Sequence, residues 1–315
     1  MLKIEKQKLK TYIGMKEITE EEYLNFLKNH EFVVVENQKV KLFKEWKINK
    51  WGPEKEYKLE STTVWSFPNR GDWATHRGDY PGNFSPFIPR NLIEKYTNKG
   101  DWVLDQMVGG GTTLVECKLL QRNGIGIDIN PDAIMVTKNR LDFHYGPANV
   151  DYKEPIIKTY VGDARNLDKI KDESIDLIVT HPPYASIKRY TRGKVKGDIS
   201  QLSFPDYLQA MKEIAEESLR VLKQDKYCAI LIGDTRKQRH FIPIAYKVME
   251  KFLEVGFVLK EDIIKLQHHV STSRGRWSKP YYDFYKIMHE HLFVFRKPKK
   301  GEKVPKLSSN LIKLM

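Results

Sequence analysis

The sequence has few cysteines and no long apolar run. Cys117 and Cys228 are its only cysteines in 315 residues, which excludes a disulfide framework and a thiolate metal cluster. No stretch is long and apolar enough to span a membrane, and the first residues, "MLKIEKQKLKTY", lack the apolar core of a signal peptide. We therefore expect a cytoplasmic protein with no membrane partner.

The sequence has fewer acidic than basic residues. There are 41 Asp and Glu against 54 Lys and Arg, a formal net charge of +13. Such a surplus suits a polyanionic partner, because phosphate neutralisation releases counterions. It equally suits the Lys-rich surface of a heat-adapted protein. Charge therefore becomes informative only beside a chemical site.

The chain is predicted to have one large domain flanked by smaller segments. Residues 1–60 form a small N-terminal appendage, in which Thr19 and Glu22 have capping-box spacing and "EFVVVENQKVKLFKEW" reads as two strands around a turn. Residues 61–297 form the main domain, and 298–315 a basic tail. Within the main domain, "WSFPNRGDWATHRGDYPGNFSPFIPR" is too irregular for a helix, and a long irregular segment of this kind is usually functional.

From Asn91 onward, helical and strand patterns alternate. The strand candidates include "WVLDQMV", "GIGIDI", "IDLIVT" and "YCAILIG", with helical stretches such as "FPDYLQAMKEIAEESLRVL" between them. This alternation predicts an α/β, Rossmann-like doubly wound sheet, mostly parallel. The last two candidates, "EDIIKLQHHV" and "EHLFVFRK", have no helix between them, so one of them is expected to run antiparallel.

Glycines and acidic residues follow consecutive strands. Asp105 precedes the loop "GGGTT", Asp128 ends the next strand, and Asp163 lies in the loop "GDARNL" after another. Glycines allow close approach of a ligand to the backbone, and an acidic side chain at a strand end can bind ribose hydroxyls. The G-x-G-x-x-G spacing of dinucleotide sites is absent. The pattern favours another cofactor that carries a nucleoside.

The motif D-x-x-x-G-x-G-T-T together with "THPPY" resembles the S-adenosylmethionine-dependent amino-methyltransferases of nucleic acids, which methylate N4 of cytosine or N6 of adenine. The resemblance runs from about residue 65 to 296 and implies S-adenosylmethionine as cofactor and S-adenosylhomocysteine as product. One departure is Gln106-Met107, where the family usually has Pro-Phe.

The resemblance also implies roles for individual residues. Asp105, Gly109, Gly111 and Thr112 would hold the methionine end of the cofactor, Asp128 its ribose and Asp163 its adenine. The Gly-, Pro- and aromatic-rich stretch of residues 65–90, hereafter the aromatic segment, would contribute His76, Asn83, Phe84 and Ser85. The neighbouring Gly110, Thr113 and Ala164 complete the predicted cofactor set.

The turn "THPPY" would carry the chemistry. An exocyclic amino nitrogen is a poor nucleophile, and acceptors aimed at its hydrogens localise the lone pair. Rigid prolines can fix a turn so that a backbone carbonyl, by resemblance that of Pro182, projects into the site. The predicted catalytic residues are Thr180, His181, Pro182, Pro183 and Tyr184, with Tyr184 as a stacking face for the base.

His181 stands where the family usually has Asp, Asn or Ser. Neutral imidazole can accept a hydrogen bond and imidazolium cannot, so activity is expected to fall as His181 becomes protonated. The absence of an acidic residue favours N4 of cytosine over N6 of adenine.

The aromatic segment, the glycine loop and the Pro-Pro-Tyr turn follow one another with no large target-recognition insertion between them. Structured RNA presents bases that are already unpaired, so we favour RNA, ribosomal RNA or a ribosomal subunit in particular, with DNA as the alternative. Basic and aromatic residues near the catalytic turn and in two later loops are candidate nucleic-acid contacts: Lys188, Arg189, Tyr190, Arg192, Lys194, Arg236, Arg274, Arg276 and Trp277. The histidines at 268, 269, 289 and 291 lack a recognised ligand spacing, so no metal is predicted.

Other function classes stay open. A non-catalytic RNA-binding protein on a methyltransferase fold would bind the cofactor without turnover. A small-molecule methyltransferase or nucleotide-dependent oxidoreductase would not bind nucleic acid at low salt. Mono- or dimethylation and the oligomeric state are left undetermined.

Overall fold

The computed structural model describes residues 12–145, 152–184, 191, 195–268 and 283–304. In chain order its elements are β1 (Lys16–Glu17), α1 (Glu20–Asn29), β2 (Phe32–Val35), β3 (Gln38–Lys41), β4 (Val64–Ser66), α2 (Phe87–Tyr96), β5 (Trp102–Asp105), α3 (Thr112–Leu119), β6 (Asn123–Asp128), α4 (Pro131–Leu141), β7 (Ile157–Val161), β8 (Ile175–Thr180), a 3₁₀ turn (Ile199–Gln201), α5 (Phe204–Val221), β9 (Leu222–Ile232), β10 (Thr235–Lys237), β11 (His240–Ile242), α6 (Ile244–Val255), β12 (Val258–Leu266) and β13 (His289–Arg296).

Nine strands form one sheet in the order β1-β7-β6-β5-β8-β9-β13-β12-β4. Within this order the five strands from β7 to β9 are parallel to one another. β13 lies antiparallel between β9 and β12, which confirms the predicted reversal near the C-terminus. The predicted Rossmann-like, doubly wound sheet is confirmed, with its order reversing at β5.

The sheet is covered on both faces because alternate strand residues point to opposite sides. In β8 all six residues are buried; Ile178 packs with α5 and α6, whereas Leu177 and Val179 pack with α2, α3 and α4. Such two-sided burial explains the nearly continuous apolar strand. Among the described residues, no helix is both long and apolar enough to cross a bilayer.

The N-terminal region contains the predicted helix and hairpin. Thr19 and Glu22 form a full capping box on α1, and β2 and β3 pair around a two-residue turn. The region is not a separate unit, since β1 adds an antiparallel strand to the edge of the large sheet. In addition, Val33, Val35 and Val40 pack against Ala133 and Val136 of α4.

The segment from Trp65 to Arg90 is largely irregular, as its composition predicts. The exceptions are its two ends. β4 pairs in parallel with β12 at the far edge of the sheet, and α2 begins at Phe87. Short strands of this kind pair with distant residues, so local sequence carries little signal for them.

Candidate active site

A cleft lies along the carboxyl ends of β5, β6, β7 and β8, where doubly wound sheets bind their ligands. The space between its walls, counting its open mouth, is about 800 Å³. The predicted residues that line it are Asn83, Phe84, Gly109, Gly110, Asp128, Asp163, Ala164, His181 and Pro183. The structure therefore brings both halves of the predicted site to one cavity.

The glycine loop after β5 is a tight turn that needs two left-handed residues. Gly109 has φ 51° and Gly111 has φ 81°, and side chains rarely adopt these angles. The carbonyl of Gly109 accepts from the Thr137 hydroxyl at 2.9 Å, and that of Gly110 accepts from Arg140 at 2.8 Å. Because these two carbonyls are hydrogen-bonded to side chains of α4, the turn is held in place with Gly109 and Gly110 lining the cleft.

Asp105 and the threonines support the turn from behind rather than lining the cleft. The buried Asp105 carboxylate accepts from the Thr113 hydroxyl at 2.6 Å and from the Met107 amide at 3.2 Å. Burial raises the pKa of Asp105 to about 7. The Thr112 hydroxyl donates to Asn83 at 2.5 Å, which joins the turn to the aromatic segment.

Two carboxylates face the cleft beside the turn. Asp128 accepts from the amides of Gly109 and Asn130, both at 2.9 Å, and burial raises its pKa to about 6. Asp163 makes a two-pronged contact with Arg165, at 2.9 and 2.7 Å. Oδ1 of Asp163 also accepts from the Arg165 amide at 2.9 Å, whereas its Oδ2 and both oxygens of Asp128 keep a lone pair with which to accept a hydrogen bond from a ligand.

Gln106 presents a buried amide to the cleft. One end of this amide lies 3.0 Å from the Ser218 hydroxyl, which has a single hydrogen to donate and also lies 2.7 Å from the Ile214 carbonyl. The other end of the amide has no hydrogen-bond partner among the described residues, and a buried polar atom without a partner costs about 1–3 kcal/mol. A polar ligand atom at this point would remove that cost, so the residues present fit a cofactor that carries polar groups, such as a nucleoside.

The aromatic segment is fastened to α3 by one fully buried carboxylate, that of Glu116. It accepts from Trp73 and His76, both at 2.7 Å, and from Arg90 at 2.6 Å. Burial lowers the pKa of His76, so the neutral ring donates its Nε2 hydrogen. His76 therefore lies behind the cleft, as does Ser85, whose hydroxyl donates to a backbone carbonyl of its own segment.

The His-Pro-Pro-Tyr turn follows the end of β8. His181 and Pro183 line the cleft, while Thr180 and Pro182 are buried beneath them. The imidazole of His181 meets the ring of Phe84 edge to face, with centroids 5.8 Å apart. Tyr184 is half-buried and does not line the cleft; its hydroxyl oxygen lies 2.9 Å from Nε2 of His181.

Tyr184, which contacts His181, is also hydrogen-bonded to a buried glutamate of the sheet, and this glutamate is paired with a lysine. The Tyr184 hydroxyl donates to Glu290 at 3.0 Å, and the other oxygen of Glu290 accepts from Lys265 at 3.1 Å. Burial alone would raise the pKa of Glu290, but the positive charge of Lys265, together with His181 and Tyr184, holds it below its ordinary value. Glu290 is therefore an ionised carboxylate.

Most predicted nucleic-acid contacts lie outside the described residues: Lys188, Arg189, Tyr190, Arg192, Lys194, Arg274, Arg276 and Trp277. Arg236 lies on β10, in a hairpin with β11 instead of a plain loop. Its guanidinium is 5.6 Å from the ring centre of Phe241 and 4.6 Å from that of Phe284. The hairpin is thus a basic and aromatic surface that follows the carboxyl end of β9.

Among the described residues, no group of His, Cys, Asp or Glu is arranged to hold a metal ion. Asp198 caps the 3₁₀ turn by accepting from Ser200 at 2.9 Å, and Asp234 accepts from Ala245 at the start of α6 at 2.8 Å. These are the structural roles expected of such residues, although Asp198 also lines the cleft.

Several functional residues were missed by sequence reasoning. Tyr80, Asn130 and Gln106 line the cleft, and Glu116 and Glu290 hold residues around it. Glu290 lies 106 positions from Tyr184 in the chain, and no motif links the two. The one available signal was an acidic residue within an otherwise apolar strand, "EHLFVF".

Comparison with known proteins places the chain in a family. Residues 3–139 and 175–313 match the family model N6_N4_Mtase, described as DNA methylase. The Type II methyltransferase M.MjaII of Methanocaldococcus jannaschii is 26% identical over 203 residues, covering 62% of this chain and 37% of that protein. A tRNA (guanine(10)-N2)-dimethyltransferase of Methanothermobacter thermautotrophicus is 36% identical over 106 residues, 33% of this chain and 29% of that protein.

The matched segments thus span 37% and 29% of the two relatives' own lengths. Among solved structures, an S-adenosylmethionine-dependent methyltransferase of Methanosarcina mazei is 17% identical with a TM-score of 0.44, covering 66% of this chain and 97% of that one. The family model matches most of the chain, on both sides of a single gap. The chain belongs to the N6/N4 DNA methylase family of S-adenosylmethionine-dependent amino-methyltransferases.

Proposed function

We propose that this chain transfers a methyl group from S-adenosylmethionine to the exocyclic amino group of a base in nucleic acid, with N4 of cytosine as the preferred target. One observation carries the proposal. His181 of the His-Pro-Pro-Tyr turn lines the same cleft as the glycine turn and the carboxylates of Asp128 and Asp163. A cofactor bound by the glycine turn and the two carboxylates would therefore be adjacent to a base bound at His181.

The cofactor is proposed to lie between the glycine turn and the two carboxylates. Asp128 would accept from the ribose hydroxyls and Asp163 from the adenine, while Gly109 and Gly110 allow close approach of the methionine end. Asn83 and Phe84 would close this end from the aromatic segment. When bound, S-adenosylmethionine supplies a methyl group on a sulfonium sulfur, which a nucleophile can displace to leave a neutral thioether.

The base is proposed to lie at His181. A neutral imidazole there accepts one hydrogen of the amino group, and a backbone carbonyl of the proline turn is suited to accept the other. Both bonds localise the nitrogen lone pair, and positioning in a site of this kind supplies much of the rate. Phe84, in edge-to-face contact with His181, restricts the rotation of the imidazole.

The affinity for S-adenosylmethionine is expected to weaken as the pH falls from 7.5 to 5.5. Asp128 accepts ribose hydroxyls best when ionised, and its pKa is about 6 because it is buried. Protonation therefore removes acceptor capacity below that pH. Titration calorimetry at several pH values checks this, with Asp128→Asn as the matched variant. The variant should bind more weakly and lose most of the pH dependence; an equally steep dependence in the variant would contradict the assignment.

Cytosine is preferred on the basis of the residue at position 181. An ionised carboxylate in this slot is typical of adenine enzymes by resemblance, whereas His181 is a single neutral acceptor. Both bases present an exocyclic amino group with two hydrogens, so the same geometry can serve either. N6 of adenine is the alternative product.

DNA is proposed as the nucleic acid because the matching family model is one of DNA methylases. The preference for structured RNA rests on the absence of a large recognition insertion. The similarity to a tRNA methyltransferase over a third of the chain supports RNA as the second candidate.

The nucleic-acid strand is proposed to pass over the β10–β11 hairpin. The guanidinium of Arg236 there lies over the rings of Phe241 and Phe284, and Lys237 and Arg239 are exposed beside it. Cations interleaved with aromatic rings favour single-stranded or extruded segments.

Transfer of labelled methyl groups tests the proposal. The purified protein is incubated with labelled S-adenosylmethionine and, separately, with double-stranded genomic DNA, heat-denatured DNA, total RNA and ribosomal subunits. We expect label in DNA. Label only in RNA or ribosomal subunits would support the second candidate, whereas cofactor binding without transfer to any of the four would indicate a binding protein.

A further inference from the structure

The hydrogen bonds around His181 form an ordered series that ends on a buried ion pair. Lys265 and Glu290 lie opposite each other on β12 and β13, with side chains 16% and 9% exposed. Glu290 accepts from the Tyr184 hydroxyl at 3.0 Å, and that oxygen lies 2.9 Å from Nε2 of His181. Four side chains from three strand regions thus meet at one edge of the cleft.

The ionised acid decides the direction of every bond in the series. A carboxylate can only accept, so the single hydrogen of the Tyr184 hydroxyl points to Glu290. The tyrosine oxygen must then accept from His181, which places the hydrogen of a neutral imidazole on Nε2. The other ring nitrogen, Nδ1, carries the lone pair.

We propose that Glu290 and Lys265 are positioning residues that fix the tautomer of His181 through Tyr184, so that Nδ1 accepts the amino hydrogen of the target base. This inference rests on the proposed function for its catalytic consequence. It also accounts for histidine at position 181. Asp or Asn offers an acceptor oxygen whatever its surroundings, whereas a neutral histidine has its lone pair on one of two ring nitrogens, and a hydrogen-bonded neighbour shifts the balance towards one of them.

A glycine next to this series leaves room for the hydrogen bond between Tyr184 and Glu290. A Cβ added to Gly233, which follows β9, would lie 3.2 Å from both the Tyr184 hydroxyl and Cγ of Glu290. These distances are tighter than ordinary contact, so a side chain at position 233 would push the tyrosine or the acid aside. The glycine therefore lets Tyr184 and Glu290 approach each other across the end of the strand.

Nitrogen NMR of protein labelled with ¹⁵N-histidine reads the tautomer directly, without substrate. The chain has nine histidines, so the His181 signals are identified by their loss in His181→Gln. We expect the Nε2–H form in the unmodified protein, and a mixture of tautomers or the Nδ1–H form in Tyr184→Phe and Glu290→Gln. Tyr184→Phe keeps the ring and removes only the hydroxyl, so it answers the question if Glu290→Gln folds poorly.

The rate of methyl transfer provides the second readout. Both variants are expected to lose about 10- to 100-fold in kcat, the range for outer partners that orient an imidazole on a metal, with the KM for the cofactor unchanged. Asp176→Asn is the matched control. It removes another buried carboxylate paired with a lysine, Lys223 at 2.8 Å, near the opposite end of β8, and should change neither the tautomer nor kcat.

Two results would overturn the inference: an Nδ1–H tautomer in the unmodified protein, or an Nε2–H signal that persists in both variants. Failure of the proposed function gives a different pattern. The tautomer would then respond to the variants as expected while no nucleic acid accepts a methyl group, and this outcome would overturn the catalytic role alone.

Discussion

Replacing His181 by alanine is expected to lower kcat for methyl transfer by about 10²- to 10³-fold, the usual loss when one preorganised hydrogen-bonding group at a reacting centre is removed. The variant leaves the amino group without its side-chain acceptor, so the nitrogen lone pair stays delocalised into the base. The glycine turn, Asp128 and Asp163 are untouched, and affinity for S-adenosylmethionine should be unchanged. Single-turnover rates and titration calorimetry separate the two effects.

The variant His181→Asn tests whether hydrogen-bond acceptance at position 181 is what the reaction needs. An amide oxygen accepts a hydrogen bond at every pH, so the asparagine variant should keep more activity than the alanine variant. It should also lose the fall in rate that we expect of the unmodified protein as imidazole becomes imidazolium at low pH. His30→Ala, at the exposed end of α1, is the control and should behave like the unmodified protein. Full activity in His181→Ala would remove this residue from the mechanism.

Replacing Glu116 by alanine is expected to reduce the free energy of unfolding by about 3–5 kcal/mol, the usual loss when one partner of a buried ion pair is removed. The variant leaves the indole of Trp73, the imidazole of His76 and the guanidinium of Arg90 without their shared acceptor. Because these residues hold the segment that carries Asn83 and Phe84, cofactor affinity should fall as well. Denaturant unfolding and calorimetry measure the two losses.

Two companion variants make the result specific. Glu116→Gln keeps one acceptor oxygen and the volume of the side chain, so its loss of stability should be smaller. Glu250→Ala removes an acid from an exposed i,i+3 pair with Lys247, and should leave the unfolding midpoint unchanged, as most surface pairs do. If Glu116→Ala unfolded at the same denaturant concentration as Glu250→Ala, Glu116 would not anchor the segment.

Local signals in the sequence account for much of the fold. The capping box at Thr19 predicts the start of α1, and the missing helix between the last two strands predicts the reversal of β13. Both features depend on residues close in the chain. β1 and β4 were not predicted, because each gains its stability by pairing with a strand far away, β1 with β7 and β4 with β12.

The positions of the site residues were also predicted only in part. Asp128, Asp163 and His181 each follow a strand, and parallel strands end at one edge, so order along the chain predicts their convergence. Asp105 and His76 were predicted to contact the cofactor, but the structure places them behind the cleft, bonded to Thr113 and to Glu116. The same motif spacing fits a lining residue and a residue one layer deeper, because spacing does not determine side-chain direction.

Identification of the methylated nucleoside decides whether an exocyclic amino group is the nucleophile. DNA is incubated with the protein and S-adenosylmethionine, digested to nucleosides and analysed by mass spectrometry against authentic standards, with His181→Ala as the matched reaction. We expect N4-methyldeoxycytidine that is strongly reduced in the variant. N6-methyldeoxyadenosine would keep the mechanism and change the base. Methylation at a ring carbon, such as 5-methyldeoxycytidine, would contradict the proposed function, because no exocyclic amino group would then be the nucleophile.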